Sequence, residues 1–480
     1  MRDKARALAA CVVIVVLAFL VRGLYLADGV ALLYTPEQDG TRMARRYDES
    51  ALSILGGEGI LFPRVRDPSR TGLLSRPPGY ATFLATVYAT LGRSFPMVAA
   101  VQNVLTSFAV LLVVAFAYRL AGFATACLAG LLVAVSPHIA ATSNLILADA
   151  IAPIPLLLAF LAALPVAQGE RSREIPRLVA MGFLIGAGTW LRPNVLLLGP
   201  FAAAFLFVLL GRTRRRAAGL AGLMAVVSLL VVSPITLRNW LVFGEFVPVS
   251  INGGITLWQG VADAGGREYG ARVWDKQVMA EEARRYGRPD YLNWWAEPEG
   301  IARDRDRYRR AMDVIKERPF WYAKTMVRRM TSMALFGDGP SPLLPAGATS
   351  KAPADERVPL TAAPGLDAAI NEEGFARRMG VASPLRAPLR LIHDLWWLAP
   401  LLVGAGIILS LRGQPKTVIF WLIVPAYYLV FESPFHYEWR VAVPMQYFLL
   451  PFAAVALTRA WEFVGATLFS TARNSDRKPR

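Results

Sequence analysis

The sequence predicts an all-α polytopic membrane protein, a bundle of about ten transmembrane helices with an extracytoplasmic loop domain. Hydrophobic residues make up 55% of the 480 and charged residues only 18%, whereas a soluble domain holds about 45–50% apolar and about a quarter charged residues. Mean hydropathy is +0.40. Apolar runs of about 15–25 residues recur, enough to cross ~30 Å of hydrocarbon, and they lack the period-2 alternation of a barrel strand.

The formal net charge of +17 does not point to nucleic acid, because the excess lies in short connections and tails. Arg2, Lys4 and Arg6 precede the first span. Arg171, Arg173 and Arg177, then Arg212 with Arg214 to Arg216, then Arg412 with Lys416, and finally Arg473, Arg477, Lys478 and Arg480 form the other clusters. Basic residues in short loops mark the cytoplasmic side. Placing these clusters inside produces a consistent weave. Ala7 to Leu26 reads as a retained anchor, and further spans fall near 97–119, 122–137, 149–167, 178–191, 194–211, 217–236, 390–411, 417–432 and 441–463. Cys11 and Cys127 lie inside apolar segments and act there as small hydrophobes.

Three regions follow from this order. Residues 1–238 form an N-terminal transmembrane module with an external loop at 27–76. Residues 239–386 form an extracytoplasmic segment, and residues 387–480 a C-terminal transmembrane module with a basic cytoplasmic tail. Helices are expected over Thr41 to Leu55, Tyr80 to Leu91 and much of 276–336, and no separate hydrophobic core is evident in 239–386. The stretch 339–386 is rich in Pro, Ala and Gly and has little periodicity.

The external polar groups cluster at helix ends and turns on one face, which points to an interfacial active site. Asp149 opens an apolar helix. An acid there complements the helix dipole without any substrate, and it also suits a group that accepts or orients a proton at the membrane boundary. Asp39, before Gly40, reads either as an Asx-type turn or as a catalytic acid or base, and Asp48 on the next helix is its substitute. Arg192, Arg238 and Arg440 each occur where a span meets the outer surface, a placement suited to a lipid phosphate or to headgroup snorkelling. Arg76 and the run His436-x-Glu438-x-Arg440 complete the candidate binding groups. The three histidines are too dispersed for a zinc site, and no Walker or dinucleotide glycine loop is present.

YDESALSILGGEG followed by RPPGYATFLATVYATLG resembles the first external loop of the polytopic GT-C glycosyltransferases, in particular the bacterial family similar to protein O-mannosyltransferases and to the aminoarabinose transferase of lipid A. SNLILADA, GFLIGAGTWLRPNVLLLGP, SPITLRNWLVFGEF and FHYEWRVAVPMQYFLLP are similar to its later motifs, in order. The resemblance implies transfer of a sugar from a polyprenyl-phosphate donor to an extracytoplasmic lipid, protein or glycan, with inversion, in the inner (plasma) membrane with the active site on the periplasmic face. The family's catalytic acid in the first external loop maps onto Asp39 and its second acid onto Asp149. One departure touches the first of these: where relatives show D-x-x-x-Y, Asp39 precedes Tyr47 by eight residues, with Met43 where the Tyr would fall. Either Asp39 or Asp48 therefore carries the base role. No cofactor is required on this reading; some relatives bind a divalent ion, and no ligand cluster here supports one. A lipid-linked-sugar flippase, or a surface polysaccharide ligase or polymerase, is the alternative.

Overall fold

The computed structural model describes residues 2–29, 40–59, 67–337 and 386–475, and every regular element among them is helical. The first apolar segment forms α1 (Arg2–Gly29), which packs along α4 (Phe95–Val135). Between them, α2 (Gly40–Leu55) and α3 (Pro78–Leu91) pack against each other, close to the helices expected there. Pro at the first turn starts α3, where its missing N–H costs no hydrogen bond. Ala121 and Gly122 leave helical geometry inside α4, with Gly122 at φ 84°, so this long helix is two helices joined by a kink.

Four apolar helices follow the short α5 (Pro137–Thr142): α6 (Pro153–Ala167), α7 (Glu174–Leu191), α8 (Leu198–Leu209) and α9 (Arg214–Phe243). α7 lies against both α6 and α9. Its contact with α9 depends on missing side chains: a Cβ at Gly186 would come within 2.6 Å of Val231 and 2.8 Å of a backbone oxygen. Among the described residues, seven segments are long and apolar enough to cross a membrane. One of them is the kinked pair of α4, and α7 and α8 are packed beside the rest. The total is therefore about ten apolar helices, in line with the hydropathy pattern.

The bundle is closed by α15 (Ala399–Gly413), α16 (Pro415–Trp421), α17 (Ile423–Glu432) and α18 (Val443–Ser475), which follow α14 (Arg386–Asp394). Trp421 stacks on Phe116 at 3.6 Å between ring centroids, and its indole N–H donates to the Phe448 carbonyl at 3.0 Å. A large side chain is thus buried without leaving a polar atom unpaired.

Residues 244–337 form a polar helical cap with α10 (Asn252–Asp263), α11 (Asp275–Tyr286), α12 (Gly300–Glu317) and α13 (Pro319–Ala334). Here the structure departs from the sequence reading, because the cap does have a hydrophobic core. Trp258, Val261, Val278, Met279, Ala311 and Tyr322 pack together in it. The amphipathic spacing over 276–336, which spans most of α11 to α13, was legible, but α10 and the meeting of the apolar faces were not. Beneath them Glu282, 2% exposed, accepts from Arg303 at 2.7 Å and from Arg307 at 2.5 Å and 2.7 Å. The segment between α2 and α3 and α2 itself are joined to this cap. Thr71 Oγ1 donates to the Ala296 carbonyl at 2.7 Å, the Gly72 N–H donates to Glu297 at 2.8 Å, and Arg46 lies 3.6 Å over the Trp294 ring. Of the Pro-, Ala- and Gly-rich stretch 339–386, residues 339–385 lie outside the described residues.

α7 also relates the two ends of the bundle. At its start the buried Glu174 pairs with Arg212 at 2.7 Å and Arg216 at 3.1 Å. At its far end, about 27 Å away at 1.5 Å per residue, stands Arg192. The arginine-rich turn and the candidate site therefore occupy opposite ends of one helix.

Candidate active site

Asp149 sits in a 3-10 turn (Ala148–Ala150) that leads into α6, and only 3% of it is exposed. The segment before it is held by side chains from three helices. Gln102 of α4 donates to the carbonyls of Ser143 at 3.1 Å and Leu145 at 2.9 Å, and Asn103 donates to Asn144 at 2.9 Å. Arg22 of α1 donates to Thr106 at 3.1 Å and Ser143 at 3.3 Å, and Asn144 donates back to the Arg22 carbonyl. Tyr80 of α3 closes the network on Gln102 at 2.5 Å. Asp149 thus stands on a rigid base.

Two of the sequence-predicted arginines converge on it. Arg192, at the end of α7, donates to Asp149 Oδ2 at 2.5 Å, and Arg440 Nη1 lies 3.8 Å from the same oxygen. Arg440 also donates through Nε to Glu438. Glu438 and His436 belong to the turn before α18, and the cap holds that turn. Arg329 donates to the Ser433 carbonyl at 3.1 Å and to the Gly260 carbonyl at 2.5 Å, Tyr322 donates to the Pro434 carbonyl, and the His436 N–H donates to Thr256 O at 3.0 Å. Burial alone would raise the Glu438 carboxyl, but the Arg440 guanidinium outweighs it and holds the group down at about 2. His436 Nδ1 contacts Asp263 Oδ2, and its Nε2 lies 4.0 Å from Glu438. Burial lowers the imidazole, yet the Asp263 hydrogen bond and charge prevail and raise its pKa above the ordinary value.

Arg76 also borders the site, within electrostatic reach of Tyr47, together with Asp149, Arg192 and Arg440. The structure therefore brings Asp149, Arg192, Arg440, Glu438, His436 and Arg76 to one neighbourhood. The other predicted residues lie elsewhere. Asp48 faces α3, where it accepts from Tyr88 at 2.8 Å and from Arg93 at 3.1 Å and 2.6 Å, a tie between α2 and α3. Arg238 is buried in α9 and donates to Asn239 at 2.7 Å, with Nη2 unpartnered among the described residues. Asp39 lies outside the described residues.

Four neighbours were not legible in advance. Tyr47 and Tyr80, T-stacked at 4.7 Å, wall one side; burial raises the Tyr47 hydroxyl. Glu432 accepts from Asn194 at 2.6 Å and lies within electrostatic reach of Arg192. An acid ending an apolar span, as in YLVFESP, is the signal that would have found Glu432. Asp263 had no such signal, because it ends an ordinary amphipathic helix. Among the described residues no group of three His, Cys, Asp or Glu side chains could hold a metal ion. What the geometry offers is a partly covered pair of guanidiniums, poised over one carboxylate, at the mouth of an apolar bundle. Such forks bind phosphate bidentately.

Residues 75–237 match the family model described as dolichyl-phosphate-mannose-protein mannosyltransferase. That span contains Arg76, Asp149 and Arg192. No curated protein matches the chain. Among solved structures, the apo oligosaccharyltransferase of Archaeoglobus fulgidus is 15% identical, covering 99% of this chain and 52% of that one, with a TM-score of 0.50. The archaeal oligosaccharyltransferase AglB from the same organism, in complex with an inhibitory peptide and a dolichol-phosphate, is 12% identical over 100% of this chain and 53% of that one, at 0.46. ArnT from Cupriavidus metallidurans bound to undecaprenyl phosphate is 13% identical, over 93% of this chain and 77% of that one, at 0.38. The chain spans about half the length of the oligosaccharyltransferases it matches, and at these identities the likeness is one of fold. The reading of the motifs as a polytopic GT-C glycosyltransferase therefore meets a matching family model over residues 75–237 and a matching fold over nearly the whole chain.

Proposed function

We propose that this chain transfers a sugar, with inversion, from a polyprenyl-phosphate donor to an acceptor hydroxyl on the extracytoplasmic side of the inner membrane. The observation that carries the reading is the convergence of Arg192 and Arg440 on Asp149, at the end of the bundle opposite the Arg212 and Arg216 turn. The donor headgroup rests at that mouth with its tail between helices, and the guanidiniums take the phosphate. The dolichyl phosphate named in the family description supports this class of donor.

In the reaction the bond between the anomeric carbon and the phosphate oxygen breaks, and the polyprenyl phosphate leaves with its charge met by Arg192 and Arg440. The acceptor oxygen attacks from the opposite face and gives its proton to a carboxylate. Asp39 is the residue we assign to that base role, because the carboxylate of Asp48 is occupied by Tyr88 and Arg93. Asp149 orients the arginines and the acceptor, while Glu438, His436 and Arg76 line the headgroup pocket. Arg238, buried without a carboxylate partner among the described residues, is a further candidate for the lipid phosphate.

The test incubates the purified chain in nanodiscs with radiolabelled polyprenyl-phosphate sugars and a cell-envelope acceptor fraction, and follows released carrier. Release that requires acceptor is the expected result. Movement of the lipid-linked sugar across a bilayer without release would replace this reading with a flippase. The labelled product distinguishes a single-sugar transferase from a ligase of preassembled glycan.

A further inference from the structure

A second concave surface lies on the polar cap, away from Asp149. It is an open, shallow cleft of about 600 Å³, lined by Arg267, Arg272, Trp274, Gln277, Glu281 and Arg284. That volume is within the range of about 300–1,000 Å³ of small-molecule sites. Three guanidiniums face one carboxylate, so the cleft keeps an excess of positive charge. Glu281 is already engaged by Arg284 at 2.7 Å and by Arg272 at 3.8 Å. Arg267 makes no ion pair among the described residues. Like charges gathered in a cleft repel one another until an anion enters.

The cleft also presents an aromatic face. Trp274 is 51% exposed, although it immediately precedes a helix whose own apolar residues, Val278 and Met279, are buried in the cap core. The backbone that carries the indole is held in place. Gln259 of α10 donates to the Val273 carbonyl at 2.8 Å and to Asp275 at 2.8 Å, clamping the chain on both sides of Trp274. Arg272 is fixed as well, since its Nη1 donates to the Arg267 carbonyl at 3.0 Å and the Ala271 carbonyl at 2.9 Å. An exposed flat ring beside a held guanidinium, two further arginines and one amide suits a ligand with both a ring face and a negative group. A sugar ring supplies C–H bonds for the indole face and hydroxyls for Gln277, and a carboxylate or phosphate on it meets the arginines.

From this we infer that the cap carries an anionic-saccharide site, taking a short glycan that bears carboxylate or phosphate groups on the Trp274 face. The site goes beyond the proposed transfer reaction and does not depend on it. Its cleft belongs to the cap that also holds the His436 turn, through Asp263 and the Thr256 carbonyl of α10, so an acceptor or product glycan held there would lie on the structure that borders the candidate active site.

The test is calorimetric titration of the full chain in nanodiscs, without any lipid donor. The probes are trigalacturonic acid, neutral maltotriose and inorganic phosphate. Trigalacturonate should bind at least tenfold more tightly than either of the other two, and more weakly as salt is raised. Trp274→Ala and, separately, Arg272→Gln should each weaken it about tenfold or more, with melting temperatures near wild type. A Gln277→Ala variant, on the exposed rim, gives a second handle should either fold poorly. Equal binding of the acidic and neutral trisaccharides, binding of phosphate as tight as that of the trisaccharide, or no effect of any of the three substitutions would overturn the inference. Because no donor is present, failure here leaves the transfer reaction untouched, and failure of transfer leaves this site standing.

Discussion

Asp149→Asn is the substitution that weighs most on the proposed site. The change keeps the shape and one acceptor oxygen, but removes a charge 2.5 Å from Arg192 and 3.8 Å from Arg440. Deleting one member of a buried pair costs about 3–5 kcal/mol. Two features reduce that figure here. Arg440 keeps Glu438, and the asparagine oxygen still accepts one hydrogen bond from Arg192, worth about 1–1.5 kcal/mol. The remainder is about 2 kcal/mol, roughly a thirtyfold change at 1.36 kcal/mol per decade. It should appear as a lower melting temperature of the nanodisc-bound protein. Activity separates the two roles that the geometry allows. If Asp149 serves only to hold Arg192, turnover at saturating donor should stay near wild type, while donor KM falls because a guanidinium has been freed for phosphate. If it also orients acceptor and arginines in the transition state, kcat should drop by about 10²-fold or more without a rise in donor KM. The second pattern is expected. A kcat within threefold of wild type, alongside the stability loss, would refute the placement of Asp149 in the reacting centre.

Further outcomes follow from contacts elsewhere. Asp39→Asn should lower turnover by about 10²–10⁴-fold with Asp48 intact. Asp48→Asn should instead lower the melting temperature while preserving turnover, because Asp48 ties α2 to α3 through Arg93 and Tyr88; steady-state assays and thermal melts of the pair check both statements. Glu282→Gln leaves Arg303 and Arg307 buried without a carboxylate and should destabilise the cap by about 3–5 kcal/mol, read as faster limited proteolysis across residues 244–337. Asp304, raised by burial to about 6 from 3.8 despite Arg307 and the Gly254 and Ile255 N–H groups, binds more protons folded than unfolded between those values. Stability should therefore fall as pH rises from about 4 to 6, by at most about 3 kcal/mol and less after solvent screening, and Asp304→Asn should flatten that slope in melting curves. His436 adds a second decline. Its folded pKa is raised, so its contribution is complete below 6.5 and is lost as pH climbs through the folded value, and His436→Gln should abolish that part of the profile.

Much of the bundle was legible because its signals are one-dimensional. A run such as Leu198 to Leu209 has to be a helix in hydrocarbon, whatever its neighbours, because each backbone N–H and C=O needs a partner. The break between the spans near 97–119 and 122–137 was legible as well, and the structure places it at Ala121 and Gly122, while α3 begins at Pro78, two residues before the expected Tyr80. Pairings were not. Nothing in the order of the chain says that Arg192 and Arg440 share Asp149, or that Asp48 is taken by Arg93, since those partners are separated by tens to hundreds of residues. Positive-inside statistics could flag Arg192, Arg238 and Arg440 as anomalous, and could not say which two meet.

The cap explains why the site needs residues far from any motif. The turn bearing His436, Glu438 and Arg440 is only a few residues long, too short to order itself, and it carries three ionisable groups. Its backbone carbonyls at Ser433 and Pro434 are instead held by Arg329 and Tyr322 of α13, and its His436 N–H is paired with the Thr256 carbonyl of α10. Arg329 itself lies 3.8 Å from Asp263, which also holds the His436 ring. The position of Arg440 over Asp149 is therefore set by the packing of α10, α12 and α13 as much as by the membrane helices. A cap loosened at Glu282 should then impair the site without any change near it. Glu282→Gln is expected to raise donor KM in parallel with the faster proteolysis. Unchanged donor affinity in a cap shown to be loosened would mean that the turn holds its shape alone.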